Sequence, residues 1–207
     1  MAELMNAAEF GRQVDEAIRR GGSDAQKTCC RIAQEAQRNT GILKQFAELS
    51  QQLEYHLFRS DSCAIKVFNF NDSLVTESPV HDHAGFWAVY VVYSGEMKMA
   101  FYHEEEPDRR PWPGLRRANE ITMKAGDGRL ISPDALHSVW STVPGTVAFT
   151  IYNGDLNAAP RRIYDQNAKV VIRDRSQWEA RQEAGAYSSA AGGGLRKLDA
   201  REFKGEA

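Results

Sequence analysis

The sequence predicts a mainly β protein, a small antiparallel barrel or jelly roll behind an N-terminal helical layer. Three observations carry that expectation. Short runs of alternating β-branched and aromatic residues recur between Ala64 and Tyr152. Gly and Pro turn signals separate them: Ser94-Gly95, Gly126, Gly128, Pro133 and Pro144-Gly145. Before Tyr55 the apolar spacing is helical instead. The expected boundaries are a helical segment over 1–58, a barrel over 59–175, and a C-terminal helix with a flexible tail over 176–207.

The elements follow in order. Ala7, Phe10, Val14 and Ile18 repeat at helical spacing, and Gly21-Gly22 ends that helix. Ser23 stands three before Gln26, a capping-box pattern opening a second helix whose apolar face uses Cys30, Ile32 and Ala33. A third helical stretch runs through Leu43, Phe46, Leu49 and Leu53, with His56 at its end, where a cation is favoured. Strands are expected over Ala64 to Phe70, Trp87 to Tyr93 and Met97 to Tyr102, with Asn71-Asp72 a turn between the first two. Residues 103–119 carry both signs of charge and read as a solvated polar loop that includes His103. Strand signals resume at Ile121, Leu130, Val139 and Val147–Tyr152, and Lys169–Ile172 is a further candidate. Ser176 can cap a last helix, and Ser188–Gly194 is a small-residue stretch.

Composition narrows the function classes. The chain has 207 residues, enough to bury a core, and a formal net charge of -2. Balanced charge argues against a nucleic-acid binder, and no apolar run approaches membrane-spanning length. The start of the chain lacks a basic segment followed by an apolar one, so no secretory signal is expected and a cytoplasmic location is. Cys29, Cys30 and Cys63 form neither a disulfide framework nor a zinc spacing, which fits reduced thiols.

The chemistry concentrates in histidine, of which the chain has five. His81 and His83 stand at i and i+2 in an extended segment, so both project from one face of a strand. His137 enters a later strand after the turn-like Ser132-Pro133-Asp134 and can reach the same point from a neighbouring strand. Three neutral imidazoles suit a first-row transition metal, with iron, nickel, copper and zinc all acceptable. Three protein ligands on one side leave open positions on the other, as a catalytic metal requires. Asp82 faces away from the metal and takes a structural hydrogen bond. Phe86, Trp87, Tyr90, Tyr102 and Trp140 are the aromatics near the proposed site. Alternation puts Val89 and Val91 on Trp87's face, with Tyr90 opposite.

Two segments then resemble a known family. PVHDHAGFWAVYVVYSGE is similar to the first cupin motif, and GDGRLISPDALHSVWS to the second. The resemblance covers about residues 64–155 and implies a single cupin barrel, the double-stranded β-helix or jelly roll. Ala88 occupies the position where many cupins place a glutamate, which leaves a three-histidine set. Within that set, the helical N-terminal segments, the His-Asp-His start and the FTIYNGDL stretch resemble the thiol dioxygenases of cysteine and 3-mercaptopropionate. That resemblance implies Fe(II) on His81, His83 and His137, dioxygen as co-substrate, and oxidation of a small thiol to a sulfinate.

The family's Ser-x-His-x-Tyr relay aligns on Ala148, Thr150 and Tyr152, so only the tyrosine is kept. Tyr152 is the expected acid or hydrogen-bond donor near the metal. Arg59 lies two residues beyond the simplest match to the arginine that grips the substrate carboxylate. Arg59, Trp87 and Trp140 are the expected substrate contacts. The partners expected are a small molecule and dioxygen, with neither nucleic acid nor membrane. Two alternatives stay open: a three-histidine dioxygenase of a non-thiol substrate such as a β-dicarbonyl, and a non-catalytic, metal-dependent small-molecule-binding cupin.

Overall fold

A computed structural model of the chain describes residues 6–38, 54–70, 77–105, 114–156, 160–165 and 169–173. Helices α1 (Ala7–Arg20) and α2 (Ala25–Gln37) come first. Among the described residues eleven strands follow: β1 (Glu54–Arg59), β2 (Ala64–Phe70), β3 (Val80–His81), β4 (Ala88–Ser94), β5 (Glu96–Glu105), β6 (Gly114–Lys124), β7 (Gly128–Ile131), β8 (Leu136–Trp140), β9 (Thr146–Tyr152), β10 (Ile163–Asp165) and β11 (Val170–Ile172). One sheet has the order β1-β2-β9-β4-β7 and the other β11-β10-β3-β8-β5-β6. Every pairing is antiparallel. Within them, β2-β9-β4-β7 and β3-β8-β5-β6 are the two four-stranded halves of a jelly roll, with β1 and β10-β11 added at the edges.

The first sheet is covered on both faces, which explains its apolar content. Ile65, Val67, Val89, Val91, Phe149 and Ile151 point outward and pack against Phe10, Val14, Cys29, Ala33 and Ala36 of the helices. Phe10 is fully buried, with its ring 5.7 Å from that of Phe149, and burying such a ring is worth about 2–3 kcal/mol. The alternate residues Ala64, Ala88, Tyr90, Val92, Ala148 and Tyr152 point into the barrel, where Met97, Met99 and Val139 meet them from the second sheet. The helices therefore lie outside the barrel and stiffen the wall that carries Tyr90 and Tyr152.

Local chemistry sets the element ends. The Asn6 side chain accepts from the Glu9 N–H at 2.9 Å and caps α1, and Gly21 closes it at φ 68°. Gly95 alone turns β4 into β5 at φ 77°. All three cysteines are free thiols, with Cys29 and Cys63 buried. No helix among the described residues is long and apolar enough to cross a membrane.

The structure corrects three expectations and adds one strand. The second helix is capped at Asp24, with no side-chain capping bond, so the Ser23–Gln26 box does not form. His56 lies in β1 opposite Lys66, because the chain pairs with β2 there and leaves no helix end for it. The loop expected over 103–119 is in large part strand: β5 runs on to Glu105, and β6 starts at Gly114. Its opposite charges meet across the ribbon, as in Arg116–Glu105, so a pattern that reads as a solvated excursion is a solvated hairpin. Strand β10 carries no strong sequence signal and forms by pairing with β3 and β11. The third helix over Leu43–Leu53, the Asn71-Asp72 turn and the tail beyond Ser176 lie outside the described residues.

Candidate metal centre

The centre is built by strand register. His81 on β3 stands directly opposite His137 on β8, and His83 follows two residues on. Ring centroids are 4.6 Å apart for His81–His137, 4.6 Å for His83–His137 and 5.6 Å for His81–His83. One nitrogen from each histidine lies within 4.8 Å of the others. His83 and His137 are fully buried and His81 is half-buried.

The tautomers follow from backbone contacts. His81 Nδ1 is 2.9 Å from the Pro79 carbonyl and His137 Nδ1 is 3.0 Å from the Ala135 carbonyl. A carbonyl only accepts, so each Nδ1 carries the proton and each Nε2 keeps its lone pair for the interior. Burial pushes all three imidazoles below their ordinary range. His81 and His83 lie well below it, each depressed further by the neighbouring histidines, and His137 falls to about 4. They are neutral donors at neutral pH.

The residues fit a metal ion on an independent observation. His83 is buried, yet neither ring nitrogen has a hydrogen-bond partner among the described residues. Leaving a buried polar atom unsatisfied costs about 1–3 kcal/mol, and a metal ion would satisfy this one. The cluster can hold a first-row metal through three imidazoles.

Behind the ligands, Asp82 fixes the strand. Its Oδ1 accepts the N–H of Ala84 at 3.2 Å and of Arg162 at 2.9 Å, and its Oδ2 accepts Arg162 Nε at 2.6 Å. Arg162 also pairs with Glu104, which accepts from the Tyr164 hydroxyl. Ala84 and Gly85 both have positive φ, at 53° and 88°, and the Phe86 N–H closes the turn on the His83 carbonyl at 3.0 Å. That turn aims His83 inward and sends the chain into β4.

The interior wall facing the histidines is aromatic and polar. The Tyr90 hydroxyl is 3.4 Å from His137 Nε2, and the Tyr152 ring stands edge-on to His83 at 5.1 Å. Lys66, 6% exposed, lies in register with Thr150, and Thr150 with Tyr90. Lys66 Nζ is 5.9 Å from the centre of the Tyr152 ring, and its charge reaches His81 and His83. The charge of Arg161 reaches all three histidines. Thr150 Oγ1 is buried without a hydrogen-bond partner among the described residues.

Of the expected substrate contacts, Trp87 and Trp140 are not in this chamber. Trp140 is three residues past His137, an odd step that turns it to the outer face, where the Arg117 guanidinium covers its ring at 5.5 Å. Trp87 packs with the helix-facing cluster for the same reason of parity with Tyr90. Arg59 pairs with Asp155 and remains about half exposed. Sequence reasoning passed over Lys66 and Arg161. A lysine between Ile65 and Val67 reads as solvent-facing, whereas in a helix-covered barrel the polar face of the strand is the interior.

No protein-family model matches the chain, and no curated protein matches it in sequence. Among solved structures it is similar to a conserved protein with a double-stranded β-helix domain from Klebsiella pneumoniae: 16% identity, 56% of this chain and 89% of that one, TM-score 0.38. A cupin superfamily protein from Desulfitobacterium hafniense matches at 18% identity over 53% and 87% of the two chains, TM-score 0.39. A hydroquinone 1,2-dioxygenase, solved with Cd2+ and 4-hydroxybenzonitrile, matches at 15% identity over 54% and 71%, TM-score 0.41. The fold assignment itself stands on the strand order, that of a double-stranded β-helix.

Proposed function

We propose that the chain is a non-haem Fe(II) dioxygenase of the thiol-dioxygenase type, adding dioxygen to a small thiol. The observation that supports it most is the buried, all-imidazole cluster enclosed by Tyr90 and Tyr152. Neutral ligands leave the charge of the ion uncompensated, which favours an anionic donor such as a thiolate. Ferrous iron held by His81, His83 and His137 would supply adjacent open positions for substrate and dioxygen, with RSH and O2 giving RSO2H. The protein's own part is positional. The carbonyls of Pro79 and Ala135 hold two imidazoles with Nε2 inward, and the Asp82–Arg162 pair holds the strand that bears the other. The Tyr90 hydroxyl, beside His137 Nε2, and Tyr152, beside His83, are placed to donate hydrogen bonds to reacting oxygens.

Purified protein should carry near-stoichiometric iron and lose it in His81→Ala, and oxygen uptake should follow addition of thiols. No first-row metal, with His81→Ala indistinguishable from wild type, overturns the reading. A second reading draws on Ala148 and Thr150: with no serine or histidine orienting Tyr152 from those positions, a β-dicarbonyl substrate becomes a direct competitor. An oxygen electrode run with thiols and with diketones separates the two. A binding protein without catalysis would instead show ligand-induced thermal stabilisation and no oxygen uptake.

A further inference from the structure

We propose that Glu77 and Ser78 are positioning residues of the metal centre: from outside the barrel they clasp β8 and set where His81 stands against His137. The proposal rests on the metal-centre reading and adds the residues that give the site its spacing. The need for a clasp lies in the run Glu77-Ser78-Pro79. The Asp82 N–H bonds the Arg162 carbonyl beside β10 at 3.1 Å, so alternation turns the backbone groups of the odd-numbered residues toward β8. His81 opposite His137 is one such pair, and the next position along a regular ladder sets Pro79 against Val139. Proline has no N–H to give there.

Ser78 fills that gap. Its N–H takes the Val139 carbonyl at 2.9 Å. Its hydroxyl oxygen accepts the Val139 N–H at 3.0 Å and donates to the Pro79 carbonyl at 3.4 Å, so the hydroxyl is inserted into the ladder. The Pro79 carbonyl, relieved of Val139, accepts from His81 Nδ1 at 2.9 Å, the bond that leaves Nε2 for the interior. Glu77 then anchors the segment. Its Oε1 accepts the Ser138 hydroxyl at 2.5 Å, the Tyr102 hydroxyl, and the Arg117 guanidinium at 2.7 Å, which also reaches Oε2 at 2.7 Å. Ser138 is fully buried and follows His137 on β8, so one carboxylate ties the approach to one ligand to the strand of another. A fully exposed ion pair would contribute little, but the Glu77 side chain is 34% exposed and its charge strengthens each bond it accepts. Arg117 is itself fixed, 5.5 Å over the rings of both Tyr102 and Trp140.

Cobalt affinity, read by chelator competition, and the visible absorption of the bound cobalt test this, with the Tm of metal-free protein alongside. Ser78→Ala should weaken cobalt binding about ten-fold or more and Glu77→Gln about five-fold, each with altered absorption and little change in metal-free Tm. Ser78→Thr, which keeps the hydroxyl, should bind as wild type does. So should Glu120→Gln, which removes the other partner of Arg117 and leaves the clasp intact. In metal-free protein at about pH 8, where imidazoles are neutral, NMR of the ring nitrogens should find His81 protonated at Nδ1 in wild type and as mixed tautomers in Ser78→Ala. Wild-type affinity and absorption in both Ser78→Ala and Glu77→Gln overturn the proposal, as does an equal loss in Glu120→Gln. Where Tm falls together with affinity, the tautomer decides: His81 still protonated only at Nδ1 overturns it. If wild type binds no cobalt while the tautomers mix in Ser78→Ala, the clasp on His81 stands and the metal-centre reading falls.

Discussion

Asp82 shows how much of the centre depends on a residue that touches no metal position. Its carboxylate binds the Arg162 side chain and two backbone N–H groups, so it holds the His81–His83 segment against the β10 approach. Asp82→Asn keeps the size and loses the ionic hydrogen bond. Metal affinity should fall about 10- to 100-fold, read by competition with a chelator, with little change in circular dichroism. At this scale the sequence was legible wherever parity decides. His81 and His83 share a face, Asp82 takes the other, and Tyr90 opposes Trp87. It was illegible where a residue's surroundings come from distant chain. Nothing near Lys66 or Arg161 in sequence says that one faces a closed interior and the other borders His83.

Among the elements, the β4–β5 turn is the sharpest constraint. A Cβ on Gly95 would lie 2.2 Å from Thr146 Oγ1 and 2.9 Å from Thr146 Cα, at a φ of 77°. Gly95→Ala should therefore destabilise by about 3 kcal/mol or more, read as a fall in Tm. Gly145 has a similar φ of 75° with open space around it, so Gly145→Ala should cost only about 1 kcal/mol. The contrast separates backbone strain from collision. Most strands were readable from alternation, because the helix-facing and interior sides of β2, β4 and β9 differ in kind. The outer half of the β5–β6 ribbon was not, since it is polar on both faces and carries the composition of a loop. Strand β10 was missed because Ile163-Tyr164-Asp165, set between charged neighbours, lacks the β-branched run that marks the equally short β11.

For the whole molecule, buried histidines tie stability to pH. His81, His83 and His137 are depressed below their ordinary value of about 6.5, His137 to about 4. The unfolded chain therefore binds protons that the native protein refuses, and metal-free protein should lose stability as pH falls from about 6.5 toward 4. His137 alone accounts for on the order of 3 kcal/mol, readable by urea denaturation at several pH values. His137→Phe should flatten that slope. The sequence indicated the barrel and its helical layer because the apolar period changes near Tyr55. It placed a helical layer on the barrel but not against which wall, and the cover over β2, β9 and β4 is what makes their inward residues line a chamber.

The shortest strand has the largest role in timing. β3 is two residues long and meets β8 through a single residue pair, His81 with His137. On its other side β3 pairs with β10, but towards β8 the pairing is brief, so metal ligation would act as a cross-strand rivet there. In hydrogen–deuterium exchange, amides at Val80–His83 should exchange early in the metal-free protein and slow sharply on loading, while β2, β4 and β9 change little. Assembly of the second sheet would then be completed by the ion, with the first sheet and its helices already in place.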